Sequence, residues 1–373
     1  MTTQATRPST LRFLRAFLRP GGARVVREES RYERGGVSLP ASLYRPAPAP
    51  VAAGLPGWIT LHGLTHTGRE HPSLDRFARA LAASGAAVLV PDLPEWRALR
   101  VAPETTVETI KAAVLTLDEH PLTAPGRIGV IGFSFGATQA LVASTEPVLR
   151  GHLAGVAAWG GYADIRRVAR FQFLGRHELD GREYRDRPDP YGRWILAGNY
   201  LPLLPEHAGG ALGDAVLGLA RDAGRRGILA WSPAMDATKA AAREPLSPDE
   251  REVFDLIAPP TSATLSPTER ARLDRLVQRM ADAVVVHEPR LEARPYLRQV
   301  PVPVFLAHGR GDRLMPWTEL VRLERALPGH RVVESAITSL FGHSFGEKRW
   351  PTPRLAIEAA RFVGLIRAML SLV

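Results

Sequence analysis

The chain has 373 residues, 45% hydrophobic and 23% charged, which is the balance of a folded globular protein. It contains no cysteine, which excludes disulfides, zinc–thiolate sites and a cysteine nucleophile. The formal net charge of +10 is almost entirely scattered arginine and comes with no nucleic-acid-binding motif, so no nucleic-acid partner is expected. The charge would still attract anionic surfaces or substrates.

Residues 1–24 are predicted to be a basic amphipathic segment. Leu11, Leu14, Phe17 and Leu18 share one helical face, and arginines stand between them. Because no signal peptide is evident and no apolar run is long enough to span a membrane, we expect a cytoplasmic protein. The pattern favours a helix that docks on its own domain. Weak membrane-surface contact through the same helix is the alternative.

From residue 25 the sequence predicts a hairpin and then alternating strands and helices. The hairpin turns at Gly35-Gly36. The later strands are predicted at 58–61, 87–90, 128–133, 155–159, 302–306 and 331–335. Thr105 and Glu108 have the spacing of a capping box that opens a helix. The alternation indicates a mostly parallel sheet covered by helices on both faces, built from residues 25–162 and 298–373.

The alternation breaks at residues 163–297, where the sequence shows helices and loops but no convincing strand. The stretches 246–251 and 265–270 are near copies, and each has Ser, Pro and Glu at the positions that start a helix. We expect a largely helical cap inserted between two late strands. Its aromatic residues, Trp194 and Tyr200 among them, either line a substrate pocket or form the ordinary core of the cap.

The stretch Gly132-Phe133-Ser134-Phe135-Gly136 follows an Ile/Val-rich strand and leads directly into an alanine-rich helical stretch. A strand, a sharp turn and a helix in this order are typical of a nucleophile elbow. Side chains at Gly132 and Gly136 would collide with the backbone or the neighbouring strand, and the strained turn would expose the Ser134 hydroxyl. The alternative is a tight turn that carries an idle serine.

A serine hydroxyl needs a base, and the base needs a group that orients it. Asp312 follows the predicted strand at 302–306, and His343 follows the one at 331–335. Catalytic groups gather at the carboxyl ends of strands in open α/β sheets. Ser134, Asp312 and His343 are therefore expected at one edge of the sheet, in the chain order Ser, Asp, His.

These motifs resemble the α/β-hydrolase superfamily and, more loosely, its prolyl-oligopeptidase-like and dienelactone-hydrolase-like esterases. The matching residues are Leu61-His62-Gly63, Pro91-Asp92, Gly132 to Gly136, His308 to Asp312 and Gly342-His343. The resemblance implies an α/β-hydrolase fold with Ser134 as nucleophile, His343 as general base and then acid, and Asp312 as the orienting acid. Asp164 is the alternative acid, because some relatives place the acid after the strand at 155–159.

The resemblance also implies an oxyanion hole formed by the backbone N–H groups of Leu64 and Phe135. His62 is expected to tie down its loop by hydrogen bonds, and His308 to pack at the end of its strand. His62, His66 and His71 have no standard ligand spacing, so no metal is expected, and no cofactor either.

The activity implied is that of a serine hydrolase of carboxylesterase type, which cleaves a small-molecule carboxylic ester through an acyl-enzyme. An acyltransferase or a peptidase would use the same triad, so both stay open. A non-catalytic binding protein on a hydrolase scaffold is the alternative from another class.

Overall fold

The computed structural model describes residues 8–19, 21–22, 24–47, 54–342 and 353–373 of the chain. Eight strands form the main sheet: β1 (Val25–Arg34), β2 (Val37–Pro46), β3 (Leu55–Leu61), β4 (Ala87–Pro91), β5 (Thr123–Phe133), β6 (Leu153–Trp159), β9 (Val304–Gly309) and β10 (Val332–Thr338). A separate hairpin is formed by β7 (Arg176–Leu179) and β8 (Arg182–Arg185).

The spatial order of the main sheet is β1-β2-β4-β3-β5-β6-β9-β10. β2 pairs antiparallel with both β1 and β4, and every pairing from β4 to β10 is parallel. Strands β3, β4 and β9 are buried along their whole length, as strands covered on both faces must be. The carboxyl ends of the parallel strands therefore meet at one edge.

Among the described residues, the sheet-forming part of the chain has seven helices: α1 (Thr10–Leu18), α2 (Pro72–Ser84), α3 (Pro94–Arg97), α4 (Pro103–Asp118), α5 (Phe135–Ala143), α13 (Thr318–Ala326) and α14 (Pro353–Leu370). Helices α1, α2 and α14 pack on one face of the sheet, and α4 and α5 pack on the other. Neighbouring residues of β5 show the division, because Val130 lies in one apolar core and Ile131 in the other.

The chain between β6 and β9 forms the cap and adds no strand to the main sheet over residues 160–303, all of which are described. Its helices are α6 (Ile165–Leu174), α7 (Pro190–Tyr200), α8 (Ala211–Arg226), α9 (Asp236–Arg243), α10 (Pro248–Ile257), α11 (Pro267–His287) and α12 (Arg294–Leu297). The expectation that this stretch lacks strands is wrong, since β7 and β8 pair through a turn at Asp180-Gly181, where both residues have positive φ.

The predicted helix starts are observed in the cap, whereas α4 begins at another residue than the one predicted. Ser247 and Ser266 cap α10 and α11, each in a complete capping box with the glutamate three residues later. Helix α4 instead begins at Pro103, so Thr105 lies inside the helix. Proline fixes φ near the helical value and lacks the N–H that would go unpaired there, so it outcompetes the later threonine as a start.

Helix α1 docks on its own domain through part of the predicted face, with Leu14 and Phe17 packed against the core. Phe13 and Phe17 pack against Phe77 of α2 with ring centroids 5.5 and 6.3 Å away. Leu11 and Leu18, predicted on the packing face, are 77% and 68% exposed. No described helix is both long and apolar enough to cross a bilayer.

Glu319 of α13 lies where the chain leaves the sheet for the cap. Its Oε2 accepts hydrogen bonds from the backbone N–H groups of Ala163 and Asp164, at 2.9 and 3.1 Å, just before α6. The residue is 1% exposed, and this burial raises the pKa of Glu319 to about 7. The group therefore ionises within the physiological range while it holds the first residues of the cap.

We expect Glu319→Gln to flatten the dependence of stability on pH. The pKa of Glu319 is higher in the folded than in the unfolded chain, so its stabilising contribution is complete below about pH 4.5 and is lost as the pH rises through 7. Glutamine keeps an acceptor for both N–H groups and does not ionise. The variant should match the wild type at pH 4.5 and exceed it at pH 8, by on the order of 2 kcal/mol.

The measurement is thermal unfolding of both proteins from pH 4.5 to 9, with the exposed Glu334→Gln as the matched control. A difference between Glu319→Gln and wild type that stays constant across this range would contradict the assignment.

Candidate active site

Ser134 stands on a strained turn between β5 and α5. Its φ of 56° and ψ of −127° are unusual for a residue with a side chain, and only two other non-glycine residues in the described part of the chain have a positive φ. The turn is held on both sides, because the Ser134 N–H donates to the Trp159 carbonyl at 2.8 Å and its carbonyl accepts from the Ala137 N–H. This is the sharp strand-to-helix turn that the sequence predicts.

The two glycines of the motif are required by close approach. A Cβ at Gly132 would overlap the carbonyl oxygen of Gly136, on the first turn of α5. A Cβ at Gly136 would lie 3.1 Å from the Trp96 ring and 3.4 Å from Cβ of Leu61 on β3. The predicted collision is present at Gly132, with backbone that cannot move aside, whereas a side chain at Gly136 would be in tight contact with Trp96 without colliding.

Gly132→Ala should destabilise the protein by about 3 kcal/mol, because the added methyl group forces β5 and α5 apart. Gly364→Ala is the matched control. Gly364 lies on the surface of α14 with no atom within 4 Å of the added Cβ, so there the substitution should stabilise by about 0.5–1 kcal/mol. Denaturant unfolding of both variants measures the two effects, and equal effects of the two substitutions would contradict this account of the elbow.

Asp312 lies in the loop that follows β9 and is 5% exposed. Its Oδ1 accepts hydrogen bonds from the Leu314 and Met315 N–H groups at 2.8 and 2.9 Å. Its Oδ2 is within 3.5 Å of the position of a Cβ on Gly160, and the same Cβ would be 3.8 Å from the Ser134 nitrogen. The carboxylate is thus fixed through one oxygen while the other lies on the side of the elbow.

His343 lies outside the described residues, but its neighbour Gly342 does not. Gly342 is packed on the loop that carries Asp312: a Cβ on Gly309 would be 2.5 Å from the Gly342 carbonyl oxygen, and one on Gly342 would be 3.5 Å from the Gly311 carbonyl oxygen. The Arg310 N–H also donates to the Thr338 carbonyl at the end of β10. Gly342, the residue before His343 in the sequence, therefore lies beside the Asp312 loop.

His308 and His62 have the structural roles expected of them. His308 is fully buried, and its Nε2 is 3.0 Å from the Met315 carbonyl and 3.7 Å from Oδ2 of Asp312. His62 accepts at Nε2 from the Leu93 N–H, 3.2 Å away, and its Nδ1 donates to the Gly63 carbonyl at 2.8 Å. Burial lowers the pKa of His62 to about 4, so the ring is neutral and fixes the loop that carries Leu64.

Tyr191 of the cap contacts the loop from the other side, and its hydroxyl donates to the Leu64 carbonyl at 3.1 Å. This contact orients the peptide that follows Leu64. Sequence reasoning missed this contact: Asp189-Pro190 marks the start of α7, but no local pattern indicates that Tyr191 reaches a loop 127 positions away.

A cavity of about 500 Å³ opens above Ser134 and is lined by both predicted oxyanion residues, Leu64 and Phe135. Its outer wall is supplied by the cap and is mainly apolar, with Ile165, Val168, Ile195, Leu196, Ile228 and Leu229. The cavity thus joins the exposed serine to an apolar chamber. His66 and His71 line it too, but no three potential metal ligands converge in the described part of the chain.

Trp194 and Tyr200 are not among the residues that line this cavity. They are 0% and 4% exposed and pack in the apolar core between the cap helices. This corrects the substrate-binding role predicted for them. Large aromatic rings fill the interior of a helical cap, while neighbours on another face of α7 reach the cavity.

Asp164 is engaged elsewhere. Its Oδ1 caps α6 by accepting from the Arg166 and Arg167 N–H groups, and its Oδ2 lies 3.5 and 3.6 Å from Arg167 and Arg294. The alternative acid therefore serves the start of the cap.

Comparison with known proteins shows similarity in fold. The chain is similar to a hypothetical protein from Pseudomonas aeruginosa (16% identity, 99% of each chain covered, TM-score 0.50). It is also similar to Est1E from Butyrivibrio proteoclasticus (14%, 92% of this chain and 98% of that one, 0.48) and to brefeldin A esterase, a bacterial homologue of human hormone-sensitive lipase (19%, 89% and 79%, 0.44). No protein-family model and no curated protein sequence matches.

The chain has an α/β-hydrolase fold, as the sequence predicts. A mostly parallel sheet is flanked by helices, a strained serine turn follows β5, and a cap is inserted between β6 and β9. Sequence identities of 14 to 19% show a similarity in fold and nothing finer.

Proposed function

We propose that the chain is a serine hydrolase of carboxylesterase type that cleaves a carboxylic ester through an acyl-enzyme. The observation that carries the proposal is the strained Ser134, which opens into a cavity walled by Leu64, Phe135 and the apolar side of the cap. Strained backbone of this kind clusters at active sites, where it serves to hold a reacting group in position. The triad and the oxyanion hole proposed here rest on this placement and on the resemblance.

In the first half-reaction the Ser134 Oγ attacks the ester carbonyl carbon while His343 takes its proton. Negative charge then develops on the carbonyl oxygen, where the N–H groups of Leu64 and Phe135 stabilise it. Phe135 is the first residue of α5, so the positive end of the helix dipole adds to the effect. As the intermediate collapses, the C–O bond to the alcohol breaks and His343 returns the proton to the leaving oxygen.

In the second half-reaction His343 takes a proton from water, and the hydroxide oxygen attacks the acyl carbon. The tetrahedral intermediate releases the acid, and the proton goes to the Ser134 Oγ, which restores the enzyme. Asp312 orients the imidazole and stabilises its charged form. Its role is supported by the two N–H groups that fix Oδ1 and by the position of Oδ2 beside Gly160.

The test is labelling with a fluorophosphonate followed by mass spectrometry of the modified peptide, together with turnover of p-nitrophenyl esters. We expect one stoichiometric label on Ser134 and release of p-nitrophenol. Absence of labelling would favour a non-catalytic binding protein. Labelling with transfer to an added alcohol, or with cleavage of anilides but not esters, would favour the acyltransferase or the peptidase.

We expect the cap residues that line the cavity to set the preference for the length of the ester's acyl chain. Leu196→Ala removes apolar contact from the chamber, so we expect kcat/KM for long p-nitrophenyl esters to fall tenfold to a hundredfold relative to the acetate. Labelling of Ser134 by a small fluorophosphonate should keep its rate. Val286→Ala, on the exposed side of α11, is the matched control. Equal loss for all esters together with slower labelling would mean that Leu196 supports the catalytic loops instead.

A further inference from the structure

A second cavity, of about 730 Å³, lies in the cap and is lined by charged side chains. Six are cationic and two are carboxylates, namely Arg176, Arg185, Arg187, Arg193, Lys239 and Arg270 against Asp186 and Asp274. A concave wall with such an excess of one sign concentrates ions of the opposite sign.

Several of these cations are not neutralised by the protein. The charge of Lys239 is compensated, because its ammonium donates to Asp236 and to oxygens of Pro259 and Thr261. Arg185 likewise donates to Glu183. By contrast, the guanidinium groups of Arg176, Arg187 and Arg193 have no hydrogen bond or ion pair with any residue in the described ranges. One of the two carboxylates, Asp186, is itself engaged, since its Oδ2 lies 3.0 Å from His177 Nε2.

Arg193 of α7 carries a buried guanidinium nitrogen. Its Nε has no hydrogen-bond partner among the described residues, and burial lowers the pKa of Arg193 to about 10, although the carboxylate of Asp189 opposes the shift. A buried cation without a partner is costly, and a guanidinium binds a carboxylate or a phosphate through paired hydrogen bonds. An anion in the cavity would provide the partner that Arg193 lacks.

This cavity adjoins the one above Ser134. Ala230 lines both, and residues of the same two helices, α6 and α7, line each of them. Val168 and Gln172 of α6 face the catalytic cavity, whereas Phe173 and Leu174 face the cationic one. Helix α7 also contributes to both cavities: Ile195 lines the catalytic cavity and Arg193 lines the cationic one.

We propose that the cationic cavity of the cap binds an anionic group, a carboxylate or a phosphate, at the far end of the substrate whose ester lies at Ser134. The inference rests on the proposed function and narrows its substrate class to esters with an apolar middle and an anionic end. The apolar cavity accommodates the middle, and Arg193 with Arg176 and Arg187 binds the end.

The first test measures binding and needs no turnover. Calorimetry on Ser134→Ala compares hexyl phosphate, hexanoate and hexanol, so that phosphate, carboxylate and neutral groups are separated. We expect at least one anion to bind at least tenfold more tightly than hexanol, and Arg193→Gln to remove that advantage. Arg182→Gln is the matched control, since Arg182 is exposed and stacks on Tyr184 outside the cavity.

Anion binding that is the same in Arg193→Gln and Arg182→Gln, or no better than that of hexanol, would overturn the proposal. Should Arg193→Gln fail to fold by circular dichroism, Arg187→Gln takes its place, because this exposed arginine is replaced without disturbing packing. It should weaken the binding of the same anion at least threefold.

The second test measures specificity. Mono-p-nitrophenyl esters of dicarboxylic acids with four to twelve carbons are compared with esters of monocarboxylic acids of equal length. At the length that reaches the cavity, the dicarboxylate should have the higher kcat/KM, and Arg193→Gln should reduce this ratio at least tenfold. A ratio unchanged at every length, with anion binding intact, would show a separate anion site and refute the substrate assignment. If no ester is hydrolysed at all, the proposed function fails, while the binding result still decides whether the cavity takes anions.

Discussion

Ser134→Ala should lower kcat for p-nitrophenyl esters by about 10⁴-fold or more and leave the fold intact. The substitution removes only the Oγ, while the turn, the cavity and the predicted oxyanion groups remain. The backbone hydrogen bonds of residue 134 to Trp159 and Ala137 do not involve the side chain, so thermal unfolding should change little. The measurements are kcat, the melting temperature and fluorophosphonate labelling of the purified variant.

Ser134→Gly is a sharper control, because it removes the hydroxyl and relieves the strain at the same time. Glycine adopts a φ of 56° without steric cost, so this variant should be at least as stable as the wild type and equally inactive. If the backbone strain at residue 134 serves to position the hydroxyl, Ser134→Gly should gain stability while it loses activity. If either variant kept most of the activity, the nucleophile would have to be another residue.

Residues that act through local geometry could be predicted from the sequence. The elbow is specified by glycines at 132 and 136, and the structure shows the backbone contact that excludes a side chain at 132 and the tight packing at 136. The capping boxes at Ser247 and Ser266 are likewise complete within four residues. In each case the physical cause lies within one turn of chain, so the sequence alone contains it.

The β7–β8 hairpin was missed even though its signal is local. Asp180-Gly181 is a typical two-residue turn, but the flanking strands are mostly charged and so lack the alternation of a half-buried strand. Here ion pairs stabilise the hairpin from outside, including those between Arg325 of α13 and Asp180. The strand propensity of a local stretch does not take account of ion-pair partners that are distant in the sequence.

The walls of the cavity could not be predicted, because they depend on how α6 and α7 cross the sheet. The sequence predicts helices in this part of the chain but not which side of α7 faces Ser134. Trp194 therefore lies in the core, whereas Leu196, two positions later, lines the catalytic cavity. The contact of Tyr191 with Leu64 is decided in the same way, by tertiary packing.

The surroundings of Asp312 and Asp164 differ in ways that favour Asp312 as the orienting acid. Asp164 gives one oxygen to the N-terminus of α6 and the other to two arginines that are about half exposed. Asp312 is buried beside Gly160 and lies in the loop against which Gly342 packs. Only Asp312 combines a fixed carboxylate, proximity to the elbow and proximity to Gly342, the residue before His343 in the sequence.

Asp312→Asn should therefore lower kcat/KM by about 10³- to 10⁴-fold, because the amide no longer selects the imidazole tautomer that accepts the serine proton. Asparagine retains an oxygen for the Leu314 and Met315 N–H groups, so the loop should keep its shape. Asp164→Asn is the matched control: it preserves a helix cap and weakens the ion pairs of a buried carboxylate with two half-exposed arginines, so its activity should stay within about threefold of wild type. Steady-state kinetics on both variants, with melting temperatures to confirm folding, decide between the two, and a larger loss in Asp164→Asn would transfer the orienting role to Asp164.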